Sequence, residues 1–139
     1  MLRSGFEQLV GKPLRRTITV DCAYGVGAIA LSPIRDAFAS MLDIVVCNLP
    51  GEGELNAGCG AEFVQKKQLR PAGTPGPGPF ASFDGDADRI VYHFELNGKW
   101  TLLDGDKIAC LLATYVMQQL SELPNRNESA RRLHSDSPS

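Results

Sequence analysis

The chain has 139 residues, 43% of them hydrophobic and 22% charged, the proportions of a soluble globular protein with room for one core. A formal net charge of −2 argues against a basic face for nucleic acid, and no apolar run approaches the length of a membrane span. The four cysteines (Cys22, Cys47, Cys59 and Cys110) form no C-x-x-C pair and are expected to be buried, reduced thiols. With no apolar signal core near Met1, the expected compartment is cytoplasmic.

Along the chain, Phe6, Leu9 and Val10 suggest the end of a helix stopped by Gly11-Lys12-Pro13, so 1–16 is read as that helix end and its linker. Ile18, Val20 and Cys22 alternate with Thr17, Thr19 and Asp21 as a first strand. Gly25 and Gly27 turn the chain into a helix with a firm start at Ser32-Pro33 and an apolar face of Ile34, Ala37, Phe38, Met41 and Leu42. With Ala30 the glycines also satisfy the G-x-G-x-x-A dinucleotide pattern. The next strand, 44–47, ends without an acid to hold a ribose, so packing of helix on strand is the simpler account of the glycines. That strand is a continuous apolar run, as expected for one covered on both faces.

A short helix is expected over 61–68 and a flexible Pro/Gly insert over 71–79. Residues 89–96 and 99–103 then read as a hairpin across Asn97-Gly98, with His93 at a surface or edge position. Asp104 is expected to cap a last helix in which Ile108, Leu111, Leu112, Tyr115, Leu120 and Leu123 share a face. In Asp104-Gly105-Asp106-Lys107 the carboxylates offset the helix dipole. Residues 124–139 are polar and aperiodic, a disordered tail in which Asn127-Glu128-Ser129 is a chance acceptor motif. This order of elements predicts an α/β domain, a mixed sheet with flanking helices.

The chemistry concentrates in Ser82-Phe83-Asp84-Gly85-Asp86-Ala87-Asp88-Arg89. Three carboxylates at every second position repel one another, and each resists ionising beside its neighbours. A hard divalent cation such as Mg²⁺ removes that penalty and leaves coordination positions for water and a phosphate. Gly85 and Ala87 let the backbone curl so that the acids converge, and Arg89 adds a fork of donors suited to phosphate oxygens. The segment reads as a metal-plus-phosphate site.

Other readings compete. A solvated acidic turn is the plainest. An EF-hand would use Asp84, Asp86, Asp88 and Glu95, but its sixth position needs glycine and holds Arg89, and strand-period residues follow instead of a helix. An aspartyl-phosphate phosphatase would make Asp84 a nucleophile after a buried strand, for which Ala81-Ser82-Phe83 is a thin candidate.

The same segment, continuing into Ile90-Val91-Tyr92, resembles the metal-binding loop of the α-D-phosphohexomutases. The likeness extends to Val20-Asp21-Cys22-Ala23 with Gly25-Val26-Gly27-Ala28, to Leu55-Asn56, to Cys59-Gly60-Ala61-Glu62-Phe63-Val64 and to Leu103-Asp104-Gly105-Asp106-Lys107-Ile108-Ala109. Order and spacing are those of that family's second domain, over 17–123, and the stretch around Cys59 narrows the likeness to the acetylglucosamine branch. Tyr24 departs from the Asn usual there.

The resemblance implies an isomerase interconverting N-acetylglucosamine 6-phosphate and 1-phosphate through a phosphoserine, on the route to UDP-N-acetylglucosamine. It implies that Asp84, Asp86 and Asp88 hold Mg²⁺, and that Arg89 steadies phosphoryl oxygens or the loop itself. The family's phosphoserine loop, sugar-recognition loop and terminal phosphate-binding domain have no counterpart in these residues. The expectation is therefore a second domain on its own, inactive alone; a non-catalytic metal-binding remnant or truncated isoform is the alternative.

Overall fold

The structure, a computed structural model, describes residues 16–76 and 78–122, which part into two units between Gly105 and Asp106. The helix end expected before residue 16 and the tail expected from 124 onward lie outside the described residues.

In the first unit, β1 (Arg16–Asp21), β2 (Leu42–Cys47), β3 (Phe80–Phe83), β4 (Ile90–Leu96) and β5 (Lys99–Leu103) form one sheet in the order β2-β1-β3-β4-β5. β1 runs parallel to β2 and to β3, whereas β3–β4 and β4–β5 are antiparallel. The expected mixed sheet is present, with one strand more than the periodicity indicated. β3 sits at its centre, yet its four residues are too few to display a period.

Side chains alternate between the sheet's two faces, so Ala81 and Ser82 point opposite ways and each face carries its own core. On one, Val20, Cys22, Ile44 and Ala81 pack with Leu31, which joins α1 (Gly27–Ala30) to α2 (Ser32–Phe38). On the other, Ala61 and Val64 of α3 (Gly60–Lys67) pack against Val91, flanked by Trp100 and Leu102.

Several boundaries differ from expectation. Pro33 lies in the first turn of α2, but Ser32 is already helical and no side chain caps the start. The helix closes at Phe38, where Met41 N–H donates to the Phe38 carbonyl (2.8 Å), so Met41 is buried beyond the helix and Leu42 opens β2. β2 is an edge strand, half-buried rather than covered on both faces. Among its described residues the tract 71–79 has no helix or strand, as its composition requires, and it is tied down at both ends. Asn48 Nδ2 donates to the Ala72 carbonyl (2.9 Å), and Thr19 N–H to the Pro79 carbonyl (3.1 Å).

β4 corrects the reading of His93. Because α3 covers that face, Val91 and His93 are the buried pair, and His93 is 0% exposed while Ile90 and Leu96 are open to solvent. The imidazole stacks on Phe80 with ring centres 5.4 Å apart, lies 5.1 Å from the Trp100 ring, and meets Ser82 Oγ through Nε2 at 3.0 Å. Burial pushes its pKa down to about 4, against a smaller upward pull from the Asp21 charge. β4 and β5 are joined by Asn97 and Gly98, both at positive φ as in a type I′ turn.

Considered by itself, α4 (Gly105–Glu122) carries Asp106 in its first turn and exposes Leu111, Leu112, Tyr115, Val116, Met117 and Leu120. Among the described residues no helix is long and apolar enough to cross a membrane.

Candidate metal centre

The acidic loop joins the last residue of β3 to the first of β4, since Phe83 and Ile90 face each other across the ladder. Inside that clasp Ala87 N–H donates to the Asp84 carbonyl (3.1 Å), and Ala87 takes a left-handed conformation with φ 61°. The resulting curl gathers one oxygen from each of Asp84, Asp86 and Asp88 within 4.8 Å of one another. Asp84 forms the floor and is 4% exposed, while Asp86 and Asp88 stand open to solvent.

Arg89 turns back onto the floor. Its backbone N–H donates to Asp84 Oδ1 (3.1 Å), and its Nε lies 2.5 Å from Asp84 Oδ2 and 3.7 Å from Asp88 Oδ1. Burial alone would push the Asp84 pKa up; the two Arg89 hydrogen bonds, a further one with Asp88 and the guanidinium charge outweigh it, holding Asp84 below the usual carboxylate value. Asp88 moves the other way, pushed up by its hydrogen bond with Asp84 and then by the charges of Asp86 and Asp84. The cluster thus contains a repulsion that a divalent cation would relieve. A carboxylate oxygen bound to Arg89 keeps a second lone pair for a metal, so the donor set fits a hard cation of Mg²⁺ type.

Two flanking segments wall the loop. Val26 N–H donates to the Gly85 carbonyl (3.1 Å). Gly25 comes so close that a Cβ there would lie 2.2 Å from the same oxygen. On the other side a Cβ on Gly85 would meet Leu55 Cδ1 at 2.9 Å and Asn56 Nδ2 at 3.0 Å. Helix-on-strand packing therefore explains Gly27, which abuts the Phe83 ring, but Gly25 is required by the acidic loop. Val26, Leu55 and Asn56 were not singled out as site residues from sequence, because a backbone N–H from Val26 and ordinary packing by the Leu55 and Asn56 side chains leave no chemical signature in residue type.

Ala87 offers a direct test of the curl. A left-handed residue with a Cβ costs about 1 kcal/mol, so Ala87→Gly is expected to keep or raise stability by up to about that amount. Ala87→Val is expected to lower it by about 1–2 kcal/mol. Denaturant unfolding of the three proteins checks the order; a valine variant as stable as the parent would contradict the conformation.

The cysteines are not part of this chemistry. Cys22 and Cys59 are buried, Cys47 is half-buried, and Cys110 is exposed, contrary to the expectation of four buried thiols. Burial first and the Asp21 charge second push Cys22 and Cys59 up to about 11; for Cys47 the same causes, in the same order, lead the rise to about 12, so all three stay protonated at neutral pH.

No protein-family model matches the chain. It is 40% identical over 113 residues to the phosphoacetylglucosamine mutase of Mus musculus, an alignment covering 79% of this chain and 21% of that protein. Crystal structures of N-acetylglucosamine-phosphate mutase share its fold: the apo form at TM-score 0.75 and 32% identity, the substrate complex at 0.75 and 31%, each covering 88% of this chain. The match takes in 28% and 24% of those two chains, and the chain spans about a fifth of the length of the relatives it matches. In sequence the chain is similar, over about four fifths of its length, to the phosphoacetylglucosamine mutases, and its fold matches a domain of a member of the α-D-phosphohexomutase superfamily.

Proposed function

We propose that this chain is the metal-binding second domain of an enzyme that interconverts N-acetylglucosamine 6-phosphate and 1-phosphate in the cytoplasm, on the way to UDP-N-acetylglucosamine. One observation carries the reading: three carboxylates converge within 4.8 Å in a loop locked by Arg89, in a chain similar to mutases of that sugar phosphate. Asp84, Asp86 and Asp88 would hold Mg²⁺. When bound, that ion withdraws charge from a phosphoryl group and eases attack at phosphorus.

The chain's own residues prepare the ground. Asp84 anchors the cluster from its buried position, and Arg89 fixes the orientation of that carboxylate. Asp86 and Asp88 present oxygens on the open side, where a phosphoryl group can approach. Arg89, with about half its side chain exposed, adds positive charge on that side. The phosphoserine and the sugar-gripping groups come from other segments of such an enzyme. Attack by Asp84 itself, as in an aspartyl-phosphate phosphatase, is disfavoured because both its oxygens already accept from Arg89 in a nearly closed position.

Asp86→Asn is expected to weaken Mg²⁺ or Mn²⁺ binding by about 10-fold or more while leaving the fold intact, since Asp86 is exposed. Titration calorimetry with unchanged affinity would refute the assignment. Joined in frame to the remaining segments of a similar mutase, the chain is expected to support conversion of N-acetylglucosamine 6-phosphate. Conversion that survives Asp84→Ala in that fusion would remove the mechanism.

A further inference from the structure

Asp21 ends β1 in register with Cys47 of β2 and Ser82 of β3, at the centre of the sheet edge from which the acidic loop leaves. Its side chain is 0% exposed. One oxygen accepts from Ala23 N–H (3.0 Å) and Asn48 Nδ2 (2.8 Å), and the other from Gly60 N–H (2.7 Å). No ion pair to Asp21 is found among the described residues, so this buried carboxylate is held by N–H donors alone. An arrangement so demanding of its partners has a geometric consequence for whatever those partners support.

Ala23 and Gly60 lead directly to the acidic loop, and Asn48 reaches the same turn through its carbonyl, which accepts from Tyr24 N–H (2.8 Å). Ala23 and Tyr24 are consecutive left-handed residues, φ 52° and 58°, a costly turn that the bond to Ala23 N–H helps to hold. That turn delivers Gly25 and Val26 against the Gly85 carbonyl. The Ala23 carbonyl in turn accepts from Asn56 N–H (3.0 Å), on the opposite wall of the same loop. Gly60 lies beside the Phe83 carbonyl, one residue before Asp84. One carboxylate thus joins both walls and the root of the loop.

We infer that Asp21 is a positioning residue for the metal centre: its buried carboxylate ties the residue-23 turn to the start of α3 and so sets the convergence of Asp84, Asp86 and Asp88. The inference rests on the metal reading proposed above and extends it to a residue that touches neither metal nor substrate.

The test is Mn²⁺ affinity, read by electron spin resonance on the full 139-residue chain. Four variants are compared with the parent: Asp21→Asn, Asn48→Gly, Val20→Ala and Asp86→Asn. Asp21→Asn keeps the shape but turns an amide N–H toward a backbone N–H donor. Asn48→Gly removes one partner while permitting the left-handed backbone at that position, φ 55°. Val20→Ala makes a cavity in the core without touching either wall.

Asp21→Asn is expected to weaken Mn²⁺ about 10-fold or more, and Asn48→Gly less, while Val20→Ala lowers stability and leaves the affinity of the folded protein unchanged. Should Asp21→Asn fail to fold by circular dichroism, Asn48→Gly decides in its place. Affinity equal to the parent's in the folded variant overturns the inference alone, as does a loss matched by Val20→Ala at equal destabilisation. Absence of Asp86-dependent Mn²⁺ binding in the parent overturns the metal reading and this inference with it.

Discussion

Gly25→Ala is expected to destabilise the chain by about 3 kcal/mol and to abolish the convergence of the three acids. The new methyl group would sit 2.2 Å from the Gly85 oxygen and 2.7 Å from its carbonyl carbon and Cα. All three are backbone atoms, so no side chain can swing aside; either the residue-25 turn or the acidic loop must move. The turn is also fastened, because Gly25 N–H donates to the Cys22 carbonyl at 2.7 Å. Urea unfolding measures the loss, and titration with Mn²⁺ measures the loop. Gly105→Ala is the control, since nothing lies within 4 Å of a Cβ there. A Gly25→Ala protein within about 0.5 kcal/mol of the parent would show that the two loops do not meet as described.

Stability is expected to fall by about 2–3 kcal/mol between pH 7.5 and pH 4.5 on account of His93 alone. The direction follows from its pKa, lowered in the folded protein from the ordinary 6.5 to about 4 by burial. Above pH 6.5 neither state binds the proton, and this contribution is fully present. As the pH drops, the unfolded chain takes up a proton that the folded one accepts only near pH 4, so stability is lost across that window and levels off below it. His93→Phe keeps a ring against Phe80 and cannot titrate. The difference between the two proteins' pH profiles isolates the histidine from carboxylates that titrate in the same range. Profiles of equal slope would mean that the ring reaches solvent.

The sequence disclosed what depends on near neighbours. The acids at 84, 86 and 88 lie within one loop, and the Asn97-Gly98 turn carries its conformational preference in its own residue types. The mixed α/β arrangement was legible for the same reason, strand by strand. What stayed hidden depends on distant parts of the chain. Asp21 reads as one polar position in an alternating strand, and two of its three partners stand 27 and 39 residues away. His93 was read as a surface residue because Ile90, Tyr92, Phe94 and Leu96 form the more apolar row; α3 settles the matter by covering the other row. β3 was legible only as the thin candidate Ala81-Ser82-Phe83, because a four-residue strand is recognisable mainly by what flanks it.

The pairing of Phe83 with Ile90 across the mouth of the acidic loop makes loop length and core alternation a single quantity. One residue added between them cannot be absorbed by β4 without turning that strand over, which would send Val91 and His93 outward and bring Tyr92 and Phe94 inward. The number of residues between Phe83 and Ile90 is therefore tied to the inward–outward alternation of β4 as well as to the acids. Length can drift instead just upstream, in the 71–79 tract, where neither strand register nor the acids keep count.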